Sequence, residues 1–91
     1  MKYYLYIIQS KVNQSHYIGY SVNPWRRVEY HNEQNKGFTR RNRPWVIVYT
    51  EAFDTKSQAM KAERIVKKWK SKRMIQQLIQ REINITDYLK D

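Results

Sequence analysis

The chain has 91 residues, of which 41% are hydrophobic and 14% aromatic, enough apolar area for one domain but not for two. It contains no cysteine, which excludes disulfides, thiolate metal sites and thiol nucleophiles. Its formal net charge of +10 favours a polyanionic partner, and we expect nucleic acid and no membrane. No apolar run could span a bilayer and the N-terminus does not resemble a secretory signal, so we expect a cytoplasmic protein.

The first part of the chain is predicted to form a β-hairpin. Residues 3–9 are apolar or aromatic at nearly every position, which indicates a strand covered on both faces. Residues 10–15 are polar and turn-like, and residues 16–20 return as a second strand. The hairpin brings Tyr17 near Tyr6, but only the strand register decides whether the two phenols share a face.

A proline-initiated helix is expected next, over residues 24–32. Arg27 and His31 are four residues apart and therefore project from one side of this helix. They lie beside an apolar stripe of Trp25 and Val28, which we expect to face the core.

A polar, basic loop follows from residue 33 to residue 43 and is the densest cationic segment of the chain. Its candidate nucleic-acid-binding side chains are four cations and one aromatic ring: Lys36, Phe38, Arg40, Arg41 and Arg43. A solvated charge run with no partner is the alternative interpretation.

The second half of the chain predicts one more strand and two helices. Residues 45–51 form the strand, and Thr55 opens a helix with the spacing of a capping box. Glu63 falls at the margin of the apolar stripe of that helix, and Ser71 caps a third helix that should end near Arg81.

The element order is therefore β-β-α-β-α-α, which predicts an α+β fold with a three-stranded antiparallel sheet flanked by helices. We expect a single domain over residues 1–82 and a loosely docked C-terminal tail over residues 83–91. A chain of this size has no room for a separate targeting module, so targeting would require a protein partner.

Five positions in order resemble the GIY-YIG nuclease superfamily. Residues 4–6 (Tyr-Leu-Tyr) stand where the first motif ends in Tyr, without its Gly and Ile, and residues 17–19 (Tyr-Ile-Gly) match the second motif. Arg27 lies ten residues after the second motif, His31 one turn later, and Glu63 on the second helix. The basic loop is similar to that of the small stand-alone bacterial branch, which is related to the nuclease domains of UvrC and of SLX-type proteins.

The resemblance implies a metal-dependent endonuclease acting on DNA, with a role in repair or recombination. Glu63 would hold one Mg²⁺ or Mn²⁺, and Arg27 would hold the phosphate oxygens with its planar guanidinium. Tyr6 or Tyr17 would deprotonate the attacking water, with His31 assisting. Branched, nicked and single-stranded DNA are all open as substrates.

The residues also allow other interpretations. Glu63 could form an ordinary ion pair with Lys67 one helical turn away, and the tyrosines could be strand aromatics packed on the core. The chain could then be a non-catalytic nucleic-acid-binding module, or a basic protein bound to structured RNA. Dependence of DNA cleavage on Glu63 separates these alternatives.

Overall fold

The computed structural model describes residues 1–33 and 41–90. Its elements are the strands β1 (Tyr3–Ser10), β2 (His16–Ser21) and β3 (Trp45–Phe53), the helices α1 (Pro24–Glu33), α2 (Lys56–Trp69) and α3 (Lys72–Ile79), and a 3-10 helix at Ile85–Tyr88. This confirms the predicted α+β fold and its element order. Across these described ranges, no helix is long and apolar enough to cross a membrane.

Strand β1 occupies the centre of the sheet, in the order β2-β1-β3, and both of its pairings are antiparallel. Its four middle residues, Leu5, Tyr6, Ile7 and Ile8, are all buried. Because a central strand has helices on both faces here, it has no polar face, and the predicted burial on both sides is confirmed.

The register places the two site tyrosines on the same face. Tyr6 is opposite Gly19 and Ile8 is opposite Tyr17, so the four residues project to one side of the sheet. Tyr6, Ile8 and Trp45 form a small buried cluster on this face, with Tyr17 packed against them. The sequence alone had left open whether Tyr6 and Tyr17 share a face.

The opposite face of the sheet carries the larger aliphatic core. Leu5 and Ile7 of β1 pack there with Ala62 and Val66 of α2 and with Leu78 of α3. The apolar stripe predicted for α2 is the side of that helix that is buried, and α3 buries Ile75 and Leu78.

Side chains cap both C-terminal helices as the sequence predicted. The Thr55 hydroxyl accepts a hydrogen bond from the Gln58 amide, and the Gln58 side chain accepts one from the Thr55 amide, which completes the capping box. The Ser71 hydroxyl accepts from the Met74 amide at the start of α3. This helix ends at Ile79, earlier than expected, because Arg81 adopts a left-handed conformation with φ of 61°.

The prediction that Trp25 faces the core is wrong, since this residue is 52% exposed. Residues at the start of a helix can lie past the edge of the surface that the helix covers. Here Pro24 is buried instead, and Val28 packs against the cluster formed by Tyr6, Ile8 and Trp45.

The expectation of a loosely docked tail is also wrong. Ile85 is fully buried in the aliphatic core, and Leu89 packs against it. Lys61 donates a hydrogen bond to the Leu89 carbonyl at 2.9 Å, and the Tyr88 ring meets the Trp69 ring edge-on. The domain boundary at residue 82, with residues 83–91 as a separate tail, stays a prediction.

Candidate active site

The site lies on the face of the sheet that α1 covers, and His31 is at its centre. The Tyr6 hydroxyl and His31 Nε2 are 3.2 Å apart, and the Tyr17 ring centre is 4.6 Å from that of the imidazole. His31 reaches this position because it is on the buried side of α1, with 3% of its surface exposed. The structure thus brings together three residues that the sequence only placed on separate elements.

Burial keeps the His31 imidazole neutral near pH 7. Removal from water lowers the pKa of His31 below its usual 6.5, and the charge of Arg27 lowers it further. When the proton of the neutral ring is on Nδ1, Nε2 accepts the hydrogen bond of the Tyr6 hydroxyl. A neutral imidazole can then take up a proton from a neighbouring phenol.

Tyr6 is buried behind the surface of the site, with 1% of its area exposed. Burial raises the pKa of Tyr6, and hydrogen bonding with Arg27 opposes that rise. The charges of Tyr17 and Glu63 also raise it, whereas the charge of Arg27 lowers it. The Tyr6 phenol therefore contacts His31 and interacts electrostatically with Arg27, Tyr17 and Glu63.

Arg27 is the exposed cation of the site. Its guanidinium carbon lies 5.0 Å from the centre of the Tyr30 ring, a cation–π contact that positions the head group. Arg27 is in contact with solvent and also interacts with Tyr6. An anion that binds the Arg27 guanidinium at the surface therefore lies near Tyr6 as well.

Glu63 comes from α2, whose apolar stripe packs on the opposite face of the sheet. Its side chain is 23% exposed and forms an ion pair with Lys67 at 3.6 Å. The ion pair between Glu63 and Lys67, which the sequence offered as an alternative interpretation of Glu63, is thus confirmed. A half-exposed pair of this type contributes about 0.3–0.5 kcal/mol, so a bound cation could displace the lysine at small cost.

The donor set matches a metal site with few protein ligands. Over residues 1–33 and 41–90, no three His, Cys, Asp or Glu side chains are grouped closely enough to hold a metal ion. Mg²⁺ keeps several water ligands and commonly binds proteins through one or two carboxylates plus the phosphate of a substrate. The partly exposed carboxylate of Glu63 meets that requirement.

Gly19 makes room for the Tyr6 ring, a role that the sequence analysis missed. A Cβ atom on Gly19 would lie 2.7 Å from the Tyr6 hydroxyl oxygen and 2.8 Å from Cζ. A glycine inside a strand often marks such a close approach, so its position in β2 was the available signal.

The basic loop is described only at its end, and Lys36, Phe38 and Arg40 lie outside the described residues. Arg41 is exposed, and Arg43 donates from Nη1 to the Asn32 carbonyl at 3.1 Å. Their binding of nucleic acid stays a prediction.

The antiparallel sheet with Tyr6 and Tyr17 on one face and with Arg27 and His31 beside them agrees with the class that the sequence resembles, the GIY-YIG nuclease domains. The family model described as the GIY-YIG catalytic domain matches residues 2–77, and the chain belongs to this family.

Relatives cover most of the chain. A UPF0213 protein of Staphylococcus haemolyticus is 38% identical over 82 residues, which are 88% of this chain and 98% of that one. A UPF0213 protein of Streptococcus pneumoniae is 37% identical over 71 residues, 76% of this chain and 70% of the other. The solution structure of a UPF0213 protein from Bacillus halodurans is similar with a TM-score of 0.55 and 36% identity, and the match covers 88% of this chain and 84% of that one.

Proposed function

We propose that the protein is a metal-dependent endonuclease that hydrolyses phosphodiester bonds in DNA. The observation that carries the proposal is the contact of Tyr6 and Tyr17 with a neutral, buried His31, beside the exposed Arg27. Membership in a nuclease family and the charge of +10 support the same conclusion. We place the protein in the cytoplasm and in DNA repair or recombination as part of this proposal.

We assign the contact with the attacking water to Tyr17. Tyr6 and His31 are 1% and 3% exposed, whereas Tyr17 is only partly buried and can meet a water at the surface. Tyr17 takes a proton from the water as its own hydroxyl proton passes to the imidazole of His31, which adjoins both phenols. In this step the ring proton of His31 is on Nε2 and is donated to the Tyr6 oxygen, which holds the imidazole in position and leaves Nδ1 to take up the proton.

Arg27 binds the non-bridging oxygens of the phosphate, because it is exposed and its guanidinium presents several donors in one plane. Glu63 would hold the divalent cation, which supplies charge neutralisation at the leaving oxygen when bound. Both residues therefore act on the phosphate, while the tyrosines and His31 act on the water.

The experiment is nicking of labelled single strands, duplexes, flaps, forks and four-way junctions with Mg²⁺ or Mn²⁺. We expect metal-dependent cleavage that Glu63→Ala abolishes and that Glu82→Ala, an exposed carboxylate after α3, leaves unchanged. Tyr17→Phe should lose more activity than Tyr6→Phe.

Binding of DNA without cleavage by any protein in the set would contradict the endonuclease and favour a nucleic-acid-binding module. Tighter binding to structured RNA than to every DNA would favour an RNA-associated protein. A requirement for cell extract to restore cleavage would indicate a protein partner.

A further inference from the structure

An exposed tryptophan lies next to the proposed active site. Trp25 is 52% exposed, whereas Trp45 is buried and Trp69 packs against the aliphatic core. The Tyr4 ring meets the Trp25 ring edge-on, with their centres 5.4 Å apart and their planes at 76°. One side of the indole is therefore supported by a neighbouring aromatic ring while about half of the residue stays in contact with water.

The position of Tyr4 relates this tryptophan to the catalytic groups. Tyr4 and Tyr6 are two residues apart on β1 and project to the same face, which separates their Cα atoms by about 6–7 Å. Tyr4 is paired with Ser21 at the end of β2 from which α1 starts. A group that covers Trp25 thus lies beside the phosphate that Arg27 would bind.

The charge around Trp25 suits a nucleic acid strand. Arg27 follows two residues later in α1 and is exposed. Bases stack on exposed aromatic rings without sequence preference, while cations nearby neutralise the backbone.

Tyr30 does not offer the same surface, although it is 50% exposed. The Arg27 guanidinium covers its ring, and the ring edge faces His31 with the centres 6.2 Å apart. Tyr30 also lines a cavity of about 210 Å³ with Arg26, Glu29 and Glu33, and the carboxylates of the two glutamates repel a phosphate backbone. Of these two exposed rings, Trp25 is therefore the better surface for a stacked base.

We propose that Trp25 is a stacking platform for an unpaired base adjoining the phosphate that is cleaved. A base within a duplex is already stacked on both sides, so the substrate is single-stranded or locally unpaired DNA. The assignment rests on the proposed endonuclease function, and it narrows the substrate class of that function.

The test measures binding by fluorescence anisotropy in EDTA, with a fork that has single-stranded arms and a fully paired duplex of the same length. We expect Trp25→Ala to weaken binding of the fork by about 5- to 100-fold, with less than about 2-fold effect on the duplex. Trp25→Phe should retain most of the affinity. A 2-aminopurine in the unpaired arm should be quenched by the parent and by Trp25→Phe, but not by Trp25→Ala.

Two control variants match the change. Tyr88→Ala removes another exposed ring that packs edge-on against a neighbour, and Val22→Ala trims an equally exposed apolar side chain. Both should bind the fork within about 2-fold of the parent, since stacking supplies most of the base contact. Equal losses in Trp25→Ala and Tyr88→Ala would overturn the platform.

The outcomes separate this inference from the proposed function. Unchanged fork affinity in Trp25→Ala, together with Glu63-dependent cleavage by the parent, would refute the platform alone. Trp25-dependent binding and quenching without cleavage of any DNA would refute the endonuclease and keep the platform as a binding site. Self-association that Trp25→Ala abolishes, with DNA affinity unchanged, would assign this surface to a second copy of the chain and overturn the proposal.

Discussion

The two faces of the sheet differ in what they bury. The face under α2 and α3 holds aliphatic side chains such as Leu5, Ile7 and Leu78, which contribute by burial of apolar area. The face under α1 holds Tyr6, Trp45 and the buried polar His31, whose hydrogen bonds fix their orientation. The comparison indicates that one face stabilises the fold by apolar burial, while the other gives up part of that packing to hold a hydrogen-bonded phenol and imidazole away from water.

We expect the largest effect, a loss of folding stability, from a substitution on the aliphatic face. Leu78→Ala creates a cavity in α3 at a residue with no exposed surface and should lower the free energy of unfolding by about 2–5 kcal/mol. Urea denaturation measures the loss, and cleavage by the remaining folded protein should be unchanged. A loss of activity per folded molecule would show that the two faces do not act separately.

On the face under α1, Arg27→Ala should have the opposite effect, a loss of cleavage with little loss of stability. Removal of an exposed donor to the phosphate should reduce cleavage by about 10²- to 10³-fold, while stability stays within about 0.5 kcal/mol. Arg26→Ala, its exposed neighbour on the same helix, is the matched control. Similar losses in the two variants would indicate a general effect of charge on DNA binding.

Gly19→Ala should lower both stability and cleavage, because it changes the space that Tyr6 occupies. The added methyl group would meet the Tyr6 hydroxyl and ring, and overpacking of this kind costs about 1–3 kcal/mol. We expect lower stability and reduced cleavage, with DNA affinity in EDTA preserved. Parent-like cleavage would show that the phenol does not need its present position.

The smallest effect is a dependence of stability on pH. Because the pKa of His31 is lowered by burial in the folded protein, the unfolded chain binds the proton more readily once the pH falls below about 6.5. Stability should therefore decline from that pH down through the folded pKa of His31. Urea titrations between pH values of about 7.5 and 5 measure this decline.

His31→Gln should reduce the decline without removing it. Burial also lowers the pKa of His16, which lies on β2 and contributes with the same sign. His16→Gln should leave the pH dependence of cleavage unchanged and is the matched variant. A pH dependence of stability that is identical in parent and His31→Gln would contradict the buried, neutral imidazole.

Most elements of the fold could be predicted because their signals are local. The capping box at Thr55, the cap at Ser71 and the apolar run of β1 depend on residues a few positions apart. The catalytic candidates were named from motifs in order along the chain. Trp25 was expected to be buried and the C-terminal tail to be loosely docked, and both expectations were wrong because burial near the end of an element depends on what the rest of the chain covers.

The sequence by itself determined the order of elements, the strongly basic charge and the residue types available for chemistry, since these depend on composition and short-range spacing. Only the tertiary structure decided that Tyr6 and Tyr17 share a face and that His31 is buried between them. Strand register shifts every side chain to the other face when it changes by one residue, and it is set by long-range packing. The same packing decided that Trp25 stays exposed beside the site.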